Sequence, residues 1–128
     1  QDFFIEIMSG LIEYSADARS KTIGANFRVR AWVNFNGING QVDRRGFGNV
    51  SSIARNSTGT YDVNLIQKPP NDDYCALVNG NVNNSNNDVR RNERVIEYTV
   101  DSCKVLTGYN GNSNSHEDFE FVNVIFIW

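Results

Sequence analysis

From residue 26 the chain alternates. Phe27, Val29, Ala31, Val33 and Phe35 are interleaved with Asn26, Arg28, Arg30, Trp32 and Asn34, the period of a strand buried on one face. Asn36-Gly37 follows and Asn39-Gly40 repeats it; this dipeptide is the strongest short-range hairpin signal. The same period returns at 61–65, where Tyr61, Val63 and Leu65 oppose Asp62 and Asn64, and at 94–100, where Ile96, Tyr98 and Val100 share one side. Pro69-Pro70-Asn71-Asp72-Asp73 ends the second of these strands and turns the chain. Residues 74–78, closed by Asn79-Gly80, and residues 119–128 are apolar on both faces. A two-faced terminal strand must be covered twice, by the core on one side and by a second sheet or another subunit on the other.

The first twenty residues read differently. Phe4, Met8, Leu11 and Ile12, with Ile5 and Ile7 nearby, fit a short helical stripe or an extended lead-in equally well. Two polar tracts interrupt the strands, at 79–92 with seven Asn and at 108–115 with Gly, Asn and Ser; both are predicted to be exposed loops. Short strands with turn signals at this spacing predict an all-β antiparallel sandwich. A lead-in or oligomerisation segment is expected over 1–24 and the sandwich over 25–128.

Composition narrows the function. The 128 residues suffice for one domain with a real core. A net charge of -3 makes nucleic acid a poor partner, and no stretch approaches the 18 or so apolar residues needed to span a membrane. No cationic segment followed by an apolar run opens the chain, so no secretory signal is expected. Gln1 is not an initiator Met, as in a processed chain or a portion of a longer one. Asparagine, at 19 residues, signals many turns. Cys75 and Cys103 would pair only if their strands were adjacent, and are read first as small buried apolar residues.

Three segments in order carry a resemblance: Ala31-Trp32-Val33-Asn34-Phe35-Asn36-Gly37, then Gly48-Asn49-Val50-Ser51-Ser52-Ile53, then Thr58-Gly59-Thr60-Tyr61-Asp62-Val63-Asn64. With Pro69, Pro70 and Tyr74 after them and a closing strand over 122–126, the chain resembles the C-terminal domains of bacteriophage tail-fibre proteins of aquatic and marine type. The likeness covers residues 25–80 well and the last eight moderately. Arg55 stands where that family has an acidic residue, and residues 81–115 match nothing in it. The resemblance implies a small sandwich that trimerises at a fibre tip on the virion and adheres to the bacterial surface; related trimeric sandwiches include H-type lectins, which makes a glycan receptor an expectation by analogy.

No catalytic constellation accompanies these elements. His116 is the only His, and it sits in a Ser/Asn tract read as exposed loop. Asp72-Asp73 and Glu117-Asp118 are read as solvated turn charge, because neighbours in an extended chain face opposite ways and a calcium site wants six or more oxygens. No cofactor or metal is expected. Trp32, flanked by Arg30 and Asn34, is read first as packing against a neighbouring subunit or the lead-in, and second as a platform for a sugar ring. Arg44-Arg45 and Arg90-Arg91 are surface pairs able to attract anionic lipopolysaccharide, or simply solvated charge. Tyr109, set among small and amide residues, is the aromatic candidate for a glycan contact, against a ring folded back on the core. The expected receptor surface therefore comprises Tyr109, Asn110, Asn112, Asn84, Asn86, Arg90 and Trp32. The expected function is host adhesion by a homotrimer through surface polysaccharide, joined to the rest of the fibre, without membrane insertion. A structural virion role without receptor contact and a glycan-cleaving activity are the alternatives.

Overall fold

The computed structural model describes residues 28–109 and 115–128, and the lead-in lies outside them. Eight strands follow in order: β1 Val29–Asn36, β2 Asp43–Gly48, β3 Val50–Ser57, β4 Thr60–Leu65, β5 Cys75–Asn81, β6 Arg91–Ile96, β7 Ser102–Tyr109 and β8 Phe121–Ile127. They form two four-stranded antiparallel sheets, sheet A in the order β2-β1-β8-β5 and sheet B in the order β3-β4-β7-β6. The expected sandwich is therefore the fold. No helix among the described residues is long and apolar enough to cross a membrane.

Alternation puts Ala31, Val33 and Phe35 of β1 and Val122, Val124 and Phe126 of β8 against Val50, Tyr61, Val63, Cys103 and Val105 of sheet B. Each fully buried large apolar side chain contributes about 1.5–3 kcal/mol, and the rings add directional contacts, as where Phe35 meets Tyr61 edge-on at 5.2 Å. Two tyrosines tie the layers together. Tyr61 of sheet B lies 3.0 Å from the Gly37 carbonyl beyond β1. At the other end Tyr74, leading into β5, reaches the carbonyls of Thr99, ahead of β7, and Ser102, its first residue, at 2.9 and 3.0 Å.

Several expectations are corrected by local geometry. Val29 does not share the inward face of Ala31: a register shift between them turns it outward, where it is 53% exposed. The 94–100 strand starts earlier and stops at Ile96, because Glu97 adopts a left-handed φ of 50°; Tyr98 and Val100 lie in the connection beyond. Asn79-Gly80 does not close β5, which runs on to Asn81. The loop expected over 108–115 is shortened as β7 extends through Tyr109.

Cys103 is buried in the core and Cys75 is exposed, both as free thiols in different sheets; the reading of both as buried holds for Cys103 alone. Burial pushes the Cys103 thiol up to about 12. Ellman's reagent on the native protein at pH 8 is expected to titrate Cys75 rapidly and Cys103 only after denaturant is added; two rapid thiols would contradict this packing.

Candidate functional site

The outward face of sheet A is built in cross-strand rows. Trp32, Ile125 and Leu77 are direct neighbours across β1, β8 and β5, and so are Val29, Ile127 and Cys75. This is the second apolar face of the terminal strand, and Leu77 is 55% exposed on it. Between β1 and the edge strand β2 the face is flattened by glycine. A Cβ on Gly48 would fall 2.7 Å from Trp32 Nε1, and one on Gly46 would fall 3.0 Å from Trp32 Cη2. The indole therefore lies along the backbone of β2, and the ring remains 44% exposed.

One row away stand Asn34, Asn123 and Asn79, in register across the same three strands. Arg45 Nη1 donates to Asn34 Oδ1 at 3.1 Å, Asn34 Nδ2 donates to Asn123 Oδ1, and Asn123 Nδ2 donates to Asn79 Oδ1 at 3.0 Å. All amides in this chain are oriented the same way, so each bond polarises the next. An amide can make up to four hydrogen bonds, so each member keeps capacity directed at solvent. Arg45 anchors the row: Nη2 donates to the Glu120 carbonyl at 2.6 Å and the guanidinium lies 4.3 Å over Phe121. Leu77, Asn79, Asn123 and Ile125 line a shallow depression of about 460 Å³ beside the row. The face thus combines a flat aromatic plate, an apolar floor and fixed amides.

Of the residues expected to meet a receptor, Trp32 alone belongs to this face. Tyr109 is the last residue of β7, half-buried, its ring 6.0 Å from Phe119, and it also lines a groove on the outward face of the other sheet. Arg90 is drawn onto Asp88, with Nη2 to Oδ2 at 2.7 Å. Asn84 is exposed and Asn86 half-buried in the β5–β6 connection, where the Asn86 carbonyl accepts from Asn81 Nδ2 at 2.7 Å. Asn110 and Asn112 lie outside the described residues. Asn79 and Asn123 were not singled out in the sequence, because only the pairing of β5 with β8 makes them neighbours.

The other polar cluster is buried. Asp118, read as solvated turn charge, is 8% exposed and its carboxylate collects five donor groups. Oδ1 accepts from Gly59 N at 2.8 Å and from the Tyr61 hydroxyl at 2.7 Å. Oδ2 accepts from Arg55 Nη2 at 2.8 Å and Asn39 N at 3.2 Å, and Arg55 Nε lies 3.1 Å from both oxygens. Burial raises the proton affinity of this carboxyl, but the donors, Arg55 foremost, outweigh it and hold its pKa below the ordinary 3.8. Burial and the neighbouring carboxylate push the Tyr61 hydroxyl up. With its acceptor capacity filled, Asp118 is a structural clasp that has nothing left for a substrate or a calcium ion. No group of three or more metal-ligating side chains converges among the described residues.

Asp118→Asn replaces a buried carboxylate that accepts from five N–H and O–H groups with an amide that has one acceptor oxygen, and is expected to lower stability by about 2 kcal/mol in urea unfolding. A folded carboxyl held below its unfolded value stabilises the protein above that value, and the contribution is lost as pH falls through 3.8 toward the folded pKa. The variant should accordingly lose less stability than the parent between about pH 6 and 3; parallel acid profiles would contradict the assignment. Compared with family models, curated proteins and solved structures, the chain matches none.

Proposed function

We propose that this chain is a virion adhesion domain, a fibre-tip sandwich that binds a host-surface glycan on the outward face of sheet A and acts as a homotrimer. The observation that carries the reading is the exposed Trp32 indole, backed by glycine and set one row from the Arg45–Asn34–Asn123–Asn79 chain. A pyranose presents apolar C–H groups on its face and hydroxyls around its edge. An indole takes the first, and pre-oriented amides take the second at little entropic cost. The resemblance of residues 25–80 to tail-fibre tips supports the same reading and supplies the virion setting. The reading is non-enzymatic, and three weak sites on one trimer reach useful avidity without any new contact.

A second reading rests on the apolar rows. Val29 at 53% and Leu77 at 55% exposure, beside Ile125 and Ile127, suit a packing surface between protomers of a structural virion component.

Trp32→Ala separates the two. On the adhesion reading, adsorption of the fluorescent domain to host cells, and its competition by host polysaccharide, weaken at least tenfold, a loss of ~1.4 kcal/mol, while sedimentation is unaltered. Unchanged adsorption would reject that reading. A variant that sediments as a monomer where the parent is a trimer would favour the packing surface instead.

A further inference from the structure

The sequence offers two arginine pairs to an anionic partner, and each of the four side chains already has a hydrogen-bond or ion-pair partner in the fold. Arg44 donates to the Val50 carbonyl at 2.7 Å and lies 4.0 Å over Phe47. Arg45 anchors the amide row, Arg90 pairs with Asp88, and Arg91 bonds the Gly80 carbonyl and lies 3.4 Å from Glu93. Arg94 differs from them. It is exposed near the middle of β6 and makes neither an ion pair nor a side-chain hydrogen bond among the described residues.

Arg94 is also one wall of a groove. On the outward face of sheet B a cavity of about 190 Å³ is lined by Asn92 and Arg94 on one side, Leu106 and Gly108 beneath, and Ser115 and His116 on the other. Register explains the shape. Asn92 pairs with Gly108 and Arg94 with Leu106 across β6 and β7, while His116 bridges Gly108 from the opposite side. The returning chain comes this close only over glycine: a Cβ on Gly108 would fall 2.4 Å from the Ser115 carbonyl oxygen. His116 Nδ1 lies 3.4 Å from Thr60 Oγ1, which leaves Nε2 for a ligand.

We propose that this groove is a binding site for an acidic monosaccharide unit, a uronic acid. The Arg94 guanidinium takes the carboxylate, for which its planar fork is suited. The Asn92 amide, His116 Nε2 and the Ser115 hydroxyl provide both donors and acceptors for the ring hydroxyls. A single guanidinium beside hydrogen-bonding groups matches a singly charged sugar acid better than a phosphate, whose larger charge calls for more than one guanidinium or ammonium partner. The site lies on the sheet opposite Trp32 and does not depend on what that face binds.

The test is a titration of the intact chain at constant ionic strength, followed through the backbone amide resonances of Leu106, Gly108 and His116. Sodium glucuronate is expected to move these resonances saturably, and glucose and inorganic phosphate to leave them in place. Arg94→Gln should weaken glucuronate binding at least tenfold, with amide resonances of the core strands unchanged; Asn92→Ala should weaken it in the same way. The proposal fails if glucuronate moves nothing at the groove, if glucose acts as glucuronate does, or if Arg94→Gln binds as the parent does. Equal shifts with phosphate would reduce the groove to a general anion site and overturn its assignment to a sugar acid. None of these outcomes bears on adsorption through Trp32.

Discussion

Asp118 carries a buried charge to the place where the two sheets must be held in register, and much of the architecture can be traced to how that charge is accommodated. Its five donor groups come from the turn after β1, from β3, from the β3–β4 turn and from β4. An isolated carboxylate at this depth would cost several kcal/mol. The arrangement is stable only when all those segments are in place at once, which makes it a test of the whole fold. Neighbouring bonds lock the same stretch: Thr107 Oγ1 donates to the Glu117 carbonyl at 2.6 Å, and Gly37 N donates to the Phe119 carbonyl at 2.9 Å. Residues 117–119 are thereby fixed between the layers, and β8 leaves this point into the middle of sheet A.

That exit sets the register of β8, and the register sets the candidate site. Because side chains alternate, a slip of one residue would bury Asn123 and Ile125 and expose Val122 and Val124. Asn34, Asn123 and Asn79 meet only because β8 is paired with β1 and β5 in the observed frame. Trp32 depends on the same sheet in another way: its indole needs Gly46 and Gly48 opposite it, and any side chain there would lift the ring from the strand. The buried clasp and the exposed face are thus linked by backbone geometry, although they share no side chain.

The sandwich was legible where period two is strong and local. Residues 31–35 and 61–65 alternate as expected, and each lies in a strand with the expected inward set; residues 122–126, apolar on both faces in the sequence, lie in the strand with Val122, Val124 and Phe126 inward and Ile125 outward. It was illegible where one dihedral breaks the period, as at Glu97, or where a register shift inverts a residue, as at Val29. The clasp was misread for a different reason. Asp118 follows Glu117 and looks like hydrated turn charge, and its principal partner, Arg55, is 63 residues away. Arg55 itself was visible only as a departure from the tail-fibre pattern. The amide row had no sequence signal either: in a chain with 19 Asn, nothing marks three that are separated by 89 and 44 residues.

The two asparagine-rich tracts drew attention because exposed amides suit recognition, yet a loop amide bonds its own backbone as readily as a ligand. Asn83 accepts from Ser85 N at 3.0 Å, Asn86 from Asp88 N at 2.9 Å and Asn71 from Asp73 N at 2.9 Å, the local pattern that makes this residue a turn former. On a strand the same amide is held away from its own backbone groups, which are committed to the sheet. Its spare donors and acceptors must then be met by a neighbouring strand or by something outside the protein. Asparagine is disfavoured in strands, and the three in register on this solvent-facing row offset that cost in part by bonding one another across the strands. It is their position in the sheet, rather than their abundance in the chain, that sets these three apart from the loop amides and on which the proposed glycan face rests.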